Sequence, residues 1–176
     1  MNSNYWENFY KEFKEETPSD FVKTLWLRDK FIVELGCGNG RDSYYLGKNN
    51  HVMAIDSAVK NKDTHSVRFF KMSAGDFINK NYQPDVVYCR FFLHSIDEKE
   101  EDRILDYSKG KELYIEVRAD GDTPKVYKDH SRRYAQPDKL LKKLIDRGFR
   151  DIKLNYGRGM AKYKGEDPLV IRIYAK

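Results

Sequence analysis

Residues 31–42 read FIVELGCGNGRD, an apolar run from Phe31 that gives way to three glycines, Gly36, Gly38 and Gly40, spaced two apart. An apolar strand that passes through a glycine-rich turn into a helix is how a backbone comes close to a nucleotide-like ligand. The sequence on either side decides what kind of sheet this unit belongs to.

Upstream, Trp6, Phe9, Tyr10 and Phe13 recur at helical spacing, and Phe21, Val22, Leu25 and Trp26 do so again after Pro18, where Ser19 can cap a second helix. Two helices are therefore expected before the strand at 31–35. Downstream the pattern alternates: a helix from about 41, a strand at 51–56, a short helical connection, and a strand at 67–72. Next come a strand at 84–89, an acidic helix from about 97, a strand at 112–117, and a helix opened by Pro137 and ended by Gly148. In that last helix Leu140, Leu141, Leu144 and Ile145 are expected to face inward. Alternating strands and helices argue for a parallel sheet covered on both faces. The runs DIKLNY at 151–156 and LVIRIYAK at 169–176 have no helix between them, so they should pair as a hairpin. The expected fold is a single doubly wound α/β sheet of seven mostly parallel strands, with a C-terminal antiparallel hairpin and two N-terminal helices.

With 176 residues, 40% of them hydrophobic, the chain can fill one sizeable core. No apolar run approaches the ~20 residues needed to cross a bilayer. The N-terminus MNSNYWENFYKEFKEE lacks the apolar core of a secretory signal, which makes a cytoplasmic protein the expectation. Cys37 and Cys89 have neither metal-site nor disulfide-framework spacing and are read as reduced thiols; no metal is expected. The net charge of +5 is unevenly spread: residues 111–164 hold 15 Lys/Arg against 8 Asp/Glu, whereas residues 1–110 hold 16 against 18. That surplus fits an anionic substrate or nucleic acid, and equally a solvated lysine-rich helix face.

A dinucleotide fingerprint needs its third glycine where this chain has Arg41. Glu34 and Asp42 flank the glycines, so a pyrophosphate would meet acidic neighbours while a ligand carrying sulfonium and ammonium charges would be attracted. Asp56, twenty residues past Gly36 at the end of the second strand, can accept two ribose hydroxyls, with Ser57 beside it. Twenty further on, Asp76 and Phe77 in SAGDF can offer an acceptor to an adenine amino group and a ring to its face. With ELGCGNG, AID, SAGDF and the terminal hairpin in these places, the chain resembles the class I S-adenosylmethionine-dependent methyltransferases over nearly its whole length. A closer resemblance, carried by YCRFFLHSID at 88–97, EVRAD at 116–120, HSRRY at 130–134 and GRGMAKYKGEDP at 157–168, is to methyltransferases of bacterial surface polysaccharide synthesis.

The resemblance implies one domain over 1–176 that binds S-adenosyl-L-methionine: a helical lid at 1–30, a cofactor-binding half at 31–110 and an acceptor-side half at 111–176. It also places Arg90, Phe91 and His94, just past the fourth strand, beside the methyl donor. Arg90 is read as a contact to the cofactor carboxylate. His94 is read either as a residue touching the reactants or as packing on the next helix. Arg118, His130, Arg132 and Arg133 are candidates for an anion pocket, since arginine forks bind carboxylate or phosphate through paired hydrogen bonds. Tyr5, Trp6 and Tyr10 are candidates to close over the donor, while core packing explains Phe9 and Phe13 at least as well. A hydroxyl acceptor would need a general base such as His94 or His130; a phosphate oxygen would not. Three functions follow: O-methylation of a sugar, sugar phosphate or glycan-terminal phosphate, methylation of nucleic acid, or a non-catalytic binding role. RFFLH stands where amino-methylating enzymes of nucleic acids carry an Asn/Asp-Pro-Pro-Tyr-type motif, which disfavours the second. An intact set of glycines and acids disfavours the third.

Overall fold

The computed structural model describes residues 3–13, 15–121, 133–163 and 165–176. Seven strands form one sheet: β1 (Phe31–Leu35), β2 (His51–Asp56), β3 (Val67–Lys71), β4 (Val86–Arg90), β5 (Glu112–Arg118), β6 (Lys153–Gly157) and β7 (Val170–Ala175). Their order is β3-β2-β1-β4-β5-β7-β6. The first five are parallel, and β7 runs antiparallel between β5 and β6. The mostly parallel sheet and its terminal hairpin are as the sequence pattern required. The chain starts in mid-sheet at β1, moves outward through β2 and β3, then returns to place β4 on the other side of β1. Ligands bind outside the carboxyl ends of the strands at such a reversal.

Strand residues alternate between two apolar layers, because successive side chains point to opposite faces. Val33, Leu35, Val87, Leu113 and Ile115 pack on one side with Phe77, Leu105 and Leu144. Ile32, Val52, Val86 and Tyr88 pack on the other with Phe21, Val22 and Leu46. The helices that cover these layers are α1 (Ser3–Glu12), α2 (Asp20–Lys23), α3 (Arg41–Leu46), α4 (Ala74–Ile78), α5 (Glu98–Tyr107) and α6 (Pro137–Asp146).

Four local expectations fail. α2 is capped by Ser19 but stops at Thr24 after one turn, so helical spacing no longer governs Trp26, which is 88% exposed. In α6, Leu140 and Leu144 form the inner stripe by their four-residue spacing, leaving Ile145 exposed. Residues 57–66 contain no helix. Conversely, SAGDF opens α4: the Ser73 hydroxyl accepts the Asp76 amide at 3.0 Å and donates to the Asp76 carboxylate at 2.7 Å, a reciprocal cap.

Part of the basic surplus of the C-terminal third is met inside the fold. Lys143 pairs with Glu98, Glu101 and Asp102 at 2.9, 2.8 and 3.1 Å. Arg147 pairs with Asp102 and Asp106 at 2.8 and 3.1 Å. The acids of α5 thus lie against the bases of α6, and the charge imbalance read along the sequence becomes a helix–helix interface in space. Among the described residues no helix is long and apolar enough to cross a membrane.

Candidate functional site

At the carboxyl ends of β1, β4 and β5 lies a cavity of about 360 Å³. Its floor is the glycine loop. Gly36 and Gly38 have φ of +76° and +52°, a conformation that side chains rarely adopt, which explains why the glycines alternate. A methyl group on Gly36 would strike the Phe92 ring, and one on Gly38 would strike the Tyr10 hydroxyl of α1. Only the second close approach faces the cavity. Gly40 caps α3 instead, against Phe69 and Asn61, and does not line the cavity.

Three carboxyl groups surround this loop. Asp56, at the end of β2, accepts the Gly38 amide on Oδ2 at 3.0 Å and the Ala58 amide on Oδ1 at 2.8 Å. It stands behind the loop rather than in the cavity wall, and burial raises its pKa against these stabilising amides. Glu34 lines the cavity and accepts the Ser43 hydroxyl at 2.5 Å. Burial, helped by the nearby Asp42 charge, pushes its carboxyl up to about 8. Asp42 serves a different purpose from the one its sequence position suggested. Its two oxygens take the Ser19 amide and hydroxyl, both at 2.7 Å, and the Tyr88 hydroxyl at 2.8 Å. It therefore fastens the segment after α1 to the sheet.

Arg90 lines the cavity, yet it is anchored from behind: its Nε donates to Glu116 at 2.8 Å and lies 3.8 Å from Asp42. Glu116 is 1% exposed and also accepts Arg172 Nε at 2.6 Å, so one buried carboxylate holds two guanidinium groups. Desolvation works to lower the Arg90 pKa, but Glu116 and Asp42 outweigh it and the net direction is up, so its charge is secure. Next to it, Phe91 has φ +49°, unusual for a bulky residue. Its backbone amide donates to the Glu116 carbonyl at 2.7 Å, and its ring sits 4.6 Å from the Arg90 guanidinium and 5.7 Å from that of Arg118. His94, in the 3-10 turn Leu93–Ser95, is 3% exposed, lines the cavity and lies 5.7 Å from Phe91 ring to ring.

Tyr5, Trp6 and Tyr10 reach the cavity, as do Phe9 and Phe13, which the sequence explained equally well as core packing. These aromatic residues contact one another along α1, and Phe13 meets Tyr163 at 5.5 Å. Burial and the nearby Asp56 carboxylate push the Tyr10 phenol up.

Of the residues singled out from sequence, Tyr5, Trp6, Glu34, Gly36, Gly38, Arg90, Phe91, His94 and Arg118 come together around this one cavity. Ser57, Asp76, Phe77 and Arg133 do not line it. Phe77 is fully buried between Phe70 and Tyr82, so its ring has no face to offer an adenine. Asp76 is exposed and occupied with capping α4. Arg133 turns the other way: its Nε donates to the Ile96 carbonyl at 2.9 Å and its fork pairs with Glu101. The three-arginine pocket is therefore not assembled with Arg133 in it. His130 and Arg132 lie outside the described residues. The residues missed are Cys37, Asn39 and Arg41 of the loop, and Ala161, Tyr163, Glu166 and Pro168 between β6 and β7. The second group belongs to GRGMAKYKGEDP, a stretch already marked by its resemblance, so a signal for it existed.

No family model matches the chain, and no curated protein matches it. Solved structures do. A 1,6-didemethyltoxoflavin-N1-methyltransferase from Burkholderia thailandensis, with 1,6-didemethyltoxoflavin and S-adenosylhomocysteine bound, superposes with a TM-score of 0.66 at 17% identity, over 85% of this chain and 72% of that one. An S-adenosylmethionine-dependent methyltransferase from Archaeoglobus fulgidus gives 0.66 at 15% identity, over 99% and 92%. Human N-acetylserotonin methyltransferase, in complex with S-adenosylmethionine, gives 0.68 at 13% identity, over 99% and 56%. The chain has the class I methyltransferase fold. Nothing in these likenesses points to polysaccharide synthesis in particular.

Proposed function

We propose that the chain is an S-adenosylmethionine-dependent methyltransferase acting on a hydroxyl of a small anionic acceptor, of which a sugar phosphate of polysaccharide synthesis is the best match. The observation that carries this reading is the glycine loop with Glu34 in the cavity wall and Asp56 on the Gly38 amide. The cavity is aromatic-walled and carries Glu34, Asp42 and Glu166 beside Arg41, Arg90 and Arg118, a mixed lining that suits a ligand with both ammonium and carboxylate groups. The donor, when bound, supplies a sulfonium-activated methyl group. Glu34, Gly36 and Gly38 hold it, with Asp56 fixing the loop through the Gly38 amide and Arg90 toward its carboxylate. The aromatic residues of α1 cover the cavity as a lid within 1–30, so that 31–110 holds the donor and 111–176 the acceptor, all in one domain. Exclusion of water and alignment are the main demands of such a displacement, and His94 takes the acceptor's proton. The α5–α6 ion pairs leave less free positive surface for nucleic acid, and the protein is assigned to the cytoplasm.

Two donor-side results are expected. Asp56→Ala should weaken S-adenosylmethionine binding at least about tenfold, since it frees the Gly38 amide that fixes the loop, and a hydrogen bond to a charged group is worth about 1.5–3 kcal/mol. Unchanged affinity in calorimetry would remove Asp56 from the donor site. Burial raises the Glu34 pKa, and a cation beside it favours the ionised form. Donor binding near neutral pH should therefore release protons, read from heats in buffers of different ionisation enthalpy. Glu34→Gln should abolish that release. Equal proton release from both proteins would show that Glu34 does not face the donor's charge.

A further inference from the structure

The cavity arginines differ in how firmly they are held. Arg90 shares the buried Glu116 carboxylate with Arg172 and is not exchangeable without stranding charges. Arg41 donates to the Thr17 carbonyl at 3.0 Å and lies over Phe13, pinning the chain that follows α1. Arg118 pairs with Glu166 at 3.1 Å, and the Glu166 side chain is 43% exposed. A pair of this kind is weak, because solvent screens it. The Glu166 backbone, by contrast, is set firmly: Tyr163 and Glu166 exchange two backbone hydrogen bonds, at 2.9 and 2.8 Å, across a turn in which Gly165 has φ +80°. The surrounding loop is tied down as well, by Arg158 on the Asp167 carbonyl and Arg172 on the Met160 carbonyl. Glu166, held by its two backbone hydrogen bonds to Tyr163, thus presents a carboxylate in the cavity wall to Arg118, whose ion pair is solvent-screened.

Building on the methyltransferase reading, we propose that Glu166 is a built-in stand-in for the acceptor's anionic group. A phosphate or carboxylate on the acceptor replaces the Glu166 carboxylate on Arg118, and the Arg118 guanidinium, already stacked against Phe91, holds it in the cavity beside His94. A neutral molecule gains nothing from Arg118, because it cannot offer the charge that Glu166 already supplies. Glu166 therefore acts as a filter that sets acceptor class and keeps the arginine from binding stray neutral ligands.

The test is titration of inorganic phosphate and, separately, acetate into the wild type, Glu166→Gln and Arg118→Gln proteins, each saturated with S-adenosylhomocysteine and each repeated without it. Glu166→Gln should bind the anion roughly three- to tenfold more tightly than wild type, as expected when a screened competing pair is removed. Arg118→Gln should lose the binding. Preference for phosphate over acetate would identify a phosphate acceptor, and the reverse a carboxylate. Equal anion affinity in all three proteins, or no anion binding to any, overturns the proposal. Failure of S-adenosylhomocysteine to bind would instead overturn the methyltransferase reading, while the anion titrations without it still report on Arg118 and Glu166.

Discussion

Replacing Glu116 with alanine should destabilise the protein by about 3–5 kcal/mol, because it strands charges that are costly to bury alone. Arg90 and Arg172 both direct their Nε to this carboxylate, at 2.8 and 2.6 Å, and both are largely buried. The damage should spread from stability to function: Arg90 supports the Phe91 ring, and Arg172 holds the Met160 carbonyl of the loop that carries Glu166. Chemical denaturation measures the loss. A change below about 1 kcal/mol would mean that water reaches these guanidinium groups and that the pairs count no more than surface ones.

His94→Ala should lower turnover on a sugar phosphate by roughly 10²–10⁴, the usual contribution of a general base, with donor affinity unchanged. The basis is position: His94 is buried, lines the cavity, and follows Phe91 on the turn that leaves β4. If the methylated atom were a phosphate oxygen, already anionic, the same substitution would cause only a modest loss. The pair of outcomes therefore tells which oxygen of the acceptor reacts.

The architecture was legible because it rests on local regularities. Glycines spaced two apart match the positive φ of the loop, Asp56 falls at a strand end, and two apolar runs without a helix between them become the β6–β7 hairpin. The errors come from features that local sequence leaves ambiguous. SAGDF read as a ligand motif, but Ser73 with Asp76 made it a capped helix start, turning Phe77 into the core. Arg133 looked like part of a basic cluster until the fold brought Glu101, 32 residues away in sequence, against it. Lys143 and Arg147 meet the acids of α5 only once the two helices are packed together. Tyr163 and Glu166 lay in a stretch marked by its resemblance but were given no role, because a long connection carries no periodicity that shows where it folds back.

The donor assignment is tested most directly by titrating S-adenosylhomocysteine and, separately, NAD into the wild-type protein in a calorimeter. The glycine loop, with Arg41 standing where a dinucleotide fingerprint needs its third glycine, predicts a saturating heat with S-adenosylhomocysteine and none with NAD. No heat with S-adenosylhomocysteine, or tighter binding of NAD, would contradict it.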